Sequence, residues 1–307
     1  MSLDRSYLNY PKRGYGQDMD RYDWALAKDR APVRLASGAK LAAMIVVACE
    51  YHPIDPGKAP VAHPHGMVTP FPDLRHFTSR DYGNRVGVFR ILKALRERGL
   101  TATFAVSAAL LERAAPLIDA IANDGHEIAA AGLHGAAIHH SGDETQAERD
   151  KIGQVRVMFE AAGLTPVTWL SPARQQSFNT PDLLTEAGFT RVLDWESDSV
   201  PLALRTEQGP LAALPLSNEL EDFKLLIERK QDEACWVRQI FEAKDYLKSE
   251  HAARGASVLG FQLTPFVAGQ PFRITALEAL LDGLAGDEAV WCAGADEIAG
   301  AFAAAAL

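Results

Sequence analysis

Residues 41–49, Leu-Ala-Ala-Met-Ile-Val-Val-Ala-Cys, form an apolar run with no polar interruption. A run of strand length without alternation belongs to a strand covered on both faces, the situation of a parallel sheet packed under helices. The chain beyond it alternates. Helical spacing over residues 84–98 stops at Gly99, residues 101–107 read as a strand, and residues 110–123 read as a helix that stops at Gly125. Further strands are predicted at 127–131, 167–170, 190–194, 211–215, 257–263 and 289–292. Helices are predicted at 144–162, 180–187, 233–253 and 274–284, with an Ala-rich helix closing the chain. Pro181 just inside one helix and Gly188 just past its end carry the expected terminal asymmetry. This β–α alternation predicts a parallel sheet with right-handed crossovers.

Two closures of such a sheet compete, an open doubly wound sheet and a barrel. The first strand is followed by Cys49-Glu-Tyr-His-Pro and not by a glycine-rich phosphate loop, which disfavours a dinucleotide fold. Seven or eight β–α units over 307 residues suit an irregular parallel (β/α) barrel. The expectation is therefore an α/β single domain over residues 39–307. Residues 1–38, rich in Tyr, Asp, Arg and Pro, would form an extended arm packed on it. The stretch from Glu50 to Tyr82 holds six prolines and reads as a long functional loop.

The formal charge of −9 argues against nucleic acid and anionic membranes, which select basic patches. No apolar run reaches membrane-spanning length, and the first residues lack a basic segment followed by an apolar one, so a cytoplasmic location is expected. The three cysteines, Cys49, Cys235 and Cys292, lie far apart with no metal-ligand spacing.

Barrel chemistry gathers just past the strand ends. Those positions hold Glu50 and His52, then His134, His139 and His140, then Ser171, Pro172 and Arg174. Asp194, Trp195, Glu196 and Asp198 follow, and finally Gln262 and Thr264. Several readings are open. Glu50 is a general base or a strand-end charge paired with an arginine. Arg174 binds a carboxylate or ring carbonyl, or bridges to Asp194 or Asp198. Trp195 is a pocket wall or core, and the histidine trio is a displaced metal site, a set of substrate donors or a surface group.

The order and spacing of several phrases resemble the NodB-type polysaccharide deacetylase superfamily, and within it the allantoinase-like branch. They are Arg80-Asp-Tyr-Gly-Asn-Arg-Val-Gly-Val-Phe-Arg90, Gly125-His-Glu-Ile-Ala129, Trp169-Leu-Ser-Pro-Ala-Arg174, Asp194-Trp-Glu-Ser-Asp198 and Phe266-Val-Ala-Gly-Gln-Pro-Phe-Arg273. The resemblance implies an irregular barrel of the deacetylase type, a hydrolase of non-peptide carbon–nitrogen bonds and an oligomeric assembly. Most members hold a divalent metal with an Asp and two His. A carboxylate takes a proton from the attacking water, and a histidine of the last motif protonates the leaving amine. The allantoinase-like branch works without metal on a hydantoin-type ring amide. This chain departs from the family pattern: the first metal histidine matches Ala131, the last-motif histidine matches Thr264, and Glu50 stands where metal-dependent members carry aspartates.

On this basis Glu50, Arg174 and Asp194 are the expected catalytic residues, and His52, His134, Trp195, Asp198, Thr264 and Arg273 the expected substrate contacts. No cofactor is expected. If a divalent metal such as zinc binds, its ligands would be Glu50, His139 and His140. The expected partner is a small-molecule amide or ring amide. The alternative is a catalytically inactive barrel that binds a small ligand or a partner without turnover.

Overall fold

The computed structural model describes residues 20–23, 25–57 and 72–305. In it the apolar run is strand β1 (Leu41–Cys49), buried along its whole length. β1 pairs in parallel with three strands. Along one edge β8 (Ser257–Leu263) runs from the Leu41–Ser257 pair to the Val47–Leu263 pair. The other edge is shared: β9 (Val290–Cys292) takes Leu41 to Ala43, and β2 (Thr103–Val106) takes Val46 to Cys49. From β2 the sheet continues in parallel through β3 (Glu127–Ala130), β4 (Thr168–Trp169), β5 (Arg191–Val192) and β7 (Leu211–Ala213). A short strand that the apolar pattern does not announce, β6 (Leu202–Leu204), adds antiparallel to β7.

The sheet curls until its ends meet. Single hydrogen bonds span the gap: Ser217 N–H donates to the Gly260 carbonyl at 2.9 Å, and Val258 N–H donates to the Ser199 carbonyl at 2.8 Å. Gly260 permits this approach, because a Cβ there would overlap the Pro215 carbonyl and the Met44 side chain. The architecture is thus an α/β barrel of the irregular kind, closed at one seam by isolated bonds and not by a ladder.

The period of two along β1 sorts its side chains into two cores. Leu41, Ala43, Ile45, Val47 and Cys49 face the helices, where they meet Ile91 and Leu95 of α2 (Val88–Arg96), Trp236 and Ile240 of α7 (Glu233–Arg254) and Leu277 and Leu280 of α9 (Ile274–Ala285). Ala42, Met44 and Val46 face the barrel interior with Ala105, Ala129, Ala131, Leu170, Leu193, Leu214 and Val258. Each fully buried Leu or Ile contributes about 1.5–3 kcal/mol. The interior is filled, so a ligand can sit only at its rim.

The floor is sealed by α10 (Ala295–Ala305). Its first amides, of Ala295 and Asp296, donate to Thr103 Oγ1 at 2.8 Å and to Glu127 Oε2 at 3.2 Å. The Glu127 carboxylate also accepts from Thr103 Oγ1 at 2.8 Å and Thr168 Oγ1 at 2.5 Å. One acidic side chain therefore ties two strands to the start of the last helix, where a carboxylate is favoured.

The remaining helices are α3 (Ala109–Arg113), α4 (Ala115–Asn123), α5 (Thr145–Ala161), α6 (Thr180–Glu186) and α8 (Pro265–Ala268). The long polar stretch is not loop throughout. Asp73 caps a helix, α1 (Leu74–Tyr82), by accepting from the amides of Arg75 and His76. A π-helical turn (Gly83–Gly87) carries the chain directly into α2. The aspartate cap outweighs the proline signal upstream. His63 and His65 lie outside the described residues. From residue 20 onward the arm touches the barrel: Arg21 forks onto Asp182 at 2.8 and 2.6 Å, and Val33 bridges to Gly255. Residues 1–19 lie outside the described residues. Among those described, no helix is long and apolar enough to cross a membrane.

If the seam depends on close backbone approach, Gly260→Ala will lower stability by about 1–3 kcal/mol, the usual cost of overpacking. Denaturant unfolding checks this, and an unchanged midpoint would show that the seam tolerates a methyl group.

Candidate functional site

The parity that buries Ala42, Met44 and Val46 inside the barrel continues to Glu50, the first residue past β1. The same rule puts Gln262 and Thr264, at the end of β8, on the interior side with Val258. Strand period and strand end together aim these side chains at the rim.

Glu50 is half-buried. Its backbone carbonyl accepts from Asn84 Nδ2 at 2.8 Å, and its Oε2 faces His52 Nε2 at 3.2 Å. Burial pushes the carboxyl up, but the His52 hydrogen bond and the positive charges of His52, Arg80 and Arg174 outweigh it and hold Glu50 below the usual carboxylate range. His52 is buried edge-on to His76, with ring centroids 5.7 Å apart. It lies against Gly135, where a Cβ would overlap the imidazole. His134 adjoins this group, and burial, then the charges of His52 and Arg113, lower its pKa. A cavity of about 550 Å³ opens beside Glu50, walled by Phe77, Phe89 and Leu110 and edged by Arg80 and Arg113. The Arg113 guanidinium stacks over Tyr51 at 4.7 Å.

A second group stands on the loops after β4, β5 and β7. Ala173 and Arg174 both adopt left-handed backbone, with φ of 55° and 52°. L-residues rarely hold that conformation, so the surroundings must hold it in place. Arg174 Nη1 donates to the Leu216 carbonyl at 3.0 Å and to Asn218 Oδ1 at 2.7 Å, and Nη2 donates to Gln262 Oε1 at 3.2 Å. Gln262 Nε2 in turn donates to Glu221 Oε1 at 2.8 Å. Burial lowers the guanidinium's pKa against the pull of Glu221, Asp194, Glu196 and Glu50, whose charges all reach it. Asp194 accepts from the Ser171 amide at 2.8 Å and Gln176 Nε2 at 2.5 Å. Burial raises its pKa despite the Ser171 and Gln176 hydrogen bonds and the Arg174 charge. Trp195 Nε1 donates to Gln176 Oε1 at 3.0 Å and so helps to hold that partner.

Glu50, Arg174 and Asp194 thus share one electrostatic field, with His52 and His134 beside Glu50. Neither partner considered for Arg174 from sequence is hydrogen-bonded to it: Asp194 is held by Ser171 and Gln176, and Asp198 is gripped bidentately by Arg30 at 2.6 and 2.8 Å. Arg273 is paired with Glu233 at 2.9 Å. Thr264 is buried, and its amide donates to both oxygens of Asp222 at 2.9 Å.

The conditional metal set does not converge. His139 is buried against Glu148 at 3.3 Å and Trp169, and that carboxylate also accepts from Ser177 Oγ at 2.6 Å. His140 is turned to Asp143 at 3.3 Å on the surface. Adjacent residues of an extended loop point apart, and each found its own acid. Ala131 offers no donor, and no group of three or more His, Cys, Asp or Glu among the described residues is arranged to hold a metal. The side chains described here do not fit a metal held by an Asp and two His.

The sequence reading passed over Glu221 and the arginines Arg80 and Arg113. Arg80 opens one of the quoted phrases, and only the cavity shows its direction. Glu221 sits in an acidic stretch with no strand-end signal.

The family model for polysaccharide deacetylases matches residues 78–192, which carry Arg80, Ala131 and Arg174. Over these residues the chain is similar to the polysaccharide deacetylase family. A deacetylase candidate from Mycobacterium smegmatis is similar over 90% of this chain and 94% of its own, with 26% identity and a TM-score of 0.73. A second, from Pseudomonas aeruginosa PAO1, covers 86% and 91% at 23% identity with a TM-score of 0.77. Puue allantoinase covers 90% and 95% at 22% identity with a TM-score of 0.80, a likeness of fold. No sequence among the curated proteins matches the chain. The chain therefore shares the fold of these structures over 86–90% of its length, while its rim carries Ala131 and Thr264.

Gly135→Ala will push His52 aside and remove the hydrogen bond that favours the charged form of Glu50. The Glu50 pKa then rises toward the ordinary glutamate value, a change read by carbon-13 NMR titration of the carboxyl. An unshifted Glu50 titration would show that His52 does not set its charge.

Proposed function

We propose that the protein hydrolyses a carbon–nitrogen bond, other than a peptide bond, in a small amide or ring amide. The single observation that carries this reading is Glu50: a recessed carboxylate, held ionised by His52, Arg80 and Arg174, at the edge of a cavity of about 550 Å³. A recessed anion beside a small cavity suits a general base. Glu50 takes the proton of the attacking water as its oxygen bonds to the carbonyl carbon. Arg174 uses three N–H bonds to fix its guanidinium, and a guanidinium has five donors, so others remain for the carbonyl oxygen as negative charge develops. Asp194, half-buried within the field of Arg174, steadies that cation. The cavity's aromatic walls and arginine edge suit a compact, nitrogen-rich molecule better than an extended sugar chain.

A binding-only barrel is the second reading, favoured by Ala131 and Thr264. One screen separates the two. Hydantoins, cyclic ureides and simple N-acyl amines are tested for turnover and for thermal stabilisation. Turnover that Glu50→Gln lowers by ~10²–10⁴-fold supports the hydrolase. Stabilisation without product across the panel supports binding alone, and an unchanged Glu50→Gln rate removes Glu50 as base.

A further inference from the structure

Amide cleavage needs a second proton transfer. An amine leaves as a neutral molecule only if its nitrogen receives a proton as the carbon–nitrogen bond breaks. The Thr264 hydroxyl has no useful acidity near neutral pH, and His52 is engaged by Glu50. Besides Asp194, held by Ser171 and Gln176, and Glu196, held by Asn218, two further carboxyls stand at this rim, Glu221 and Asp222, and their surroundings differ. Asp222 is fully buried, and its oxygens are spent on backbone: they accept from the amides of Thr264 at 2.9 Å, Ala268 at 3.2 Å and Phe223 at 2.7 Å. It anchors the start of α8 and has no path to a ligand. Burial, opposed by the Thr264 amide and aided by the charge of Glu221, pushes it up to about 7. Glu221 is only half-buried. One of its oxygens accepts from Gln262 Nε2 at 2.8 Å, and among the described residues its other oxygen has no hydrogen-bond partner and the carboxyl no ion pair. Gln262 is the residue that Arg174 holds at 3.2 Å, so a two-bond chain ties the Glu221 carboxyl, through its bonded oxygen, to the cation placed to receive the carbonyl and leaves the other oxygen free.

Resting on the hydrolase reading above, we infer that Glu221 is the acid that protonates the leaving nitrogen, opposite Glu50 as base. The step balances. Glu50 takes a proton from water, whose oxygen bonds to the carbonyl carbon. The carbon–nitrogen pair then withdraws to nitrogen, which takes the proton of Glu221. A carboxylic acid and an amine leave, and the two glutamates restore their charges by exchange with solvent. The charges facing Glu221 are Arg174, Glu50, Asp222, Glu228 and Lys224. Burial, only partly offset by Arg174 and reinforced by Glu50, raises its pKa, whereas Glu50 is held low. A pair of carboxyls driven apart in this way is the arrangement that lets one donate while the other accepts.

The test compares two amides of whichever acyl group the wild type hydrolyses fastest in the screen above, the propylamide and the 4-nitroanilide. Nitroaniline leaves without a proton; propylamine does not. Glu221→Gln, which keeps the acceptor for Gln262, will lose ~100-fold or more on the propylamide and less than about threefold on the nitroanilide. The alkaline fall of kcat/KM on the propylamide will disappear. Equal losses on both amides, or none, overturn the proposal. A wild type silent on the whole screen overturns the hydrolase reading and this role with it, whereas wild-type turnover with the wrong leaving-group pattern overturns the role alone. If the variant does not fold, carbon-13 titration of Glu221 in the unaltered protein decides: a carboxyl titrating below the ordinary glutamate range rules it out as donor.

Discussion

A parallel strand has two edges, and β1 uses them for three partners. β8 occupies one edge over seven residues, while β9 and β2 divide the other between its lower and upper halves. Every side chain of β1 is then enclosed, five under helices and the rest inside the barrel, which is possible only because no polar atom occurs between Leu41 and Cys49. A charge anywhere in this run would be stranded away from water at a cost no nearby partner offsets. The first ionisable group the strand can carry is the one that emerges at its end, and that group is Glu50.

The rim inherits its geometry from this arrangement and its electrostatics from the loops. Small interior residues, Ala105, Ala129 and Ala131, fill the barrel just below the strand ends. Above them Arg174 is suspended between backbone and side-chain acceptors from two other segments. Its own backbone is left-handed. Several carboxyls within reach of one buried cation cannot share a single pKa. The structure resolves the competition by position: the one against His52 keeps its charge, and those without such a partner lose theirs more readily.

Much of this was readable before any coordinates, for definite reasons. Period and punctuation placed β1, β2, β3 and β8, since each is an apolar run bounded by glycine or polar residues. Glu50, Arg174 and Asp194 could be singled out because strand ends and motif phrases coincide there. What escaped depended on non-local facts. β6 is three residues long and gains its identity only from pairing with β7. Helix α1 hides behind six prolines, because its start is set by one capping aspartate. The partners of Asp198 and Arg273, Arg30 and Glu233, come from distant segments that no phrase announces. Glu221 is legible only once Gln262 is seen to join it to Arg174.

The triple pairing of β1 also bears on how the chain reaches its fold. The strand closest to the amino terminus finds one edge covered only by residues 257–263 and half of the other by residues 290–292. The amides that seal the floor against Glu127 belong to residues 295 and 296. Contacts of such sequence separation make loop closure the slow step and leave part of a flat apolar strand edge exposed until residues 290–292 have been made. A nascent barrel of this topology thus depends on its final helix as a latch, and shielding of β1 during synthesis is a kinetic requirement set by strand order rather than by the strength of any single bond.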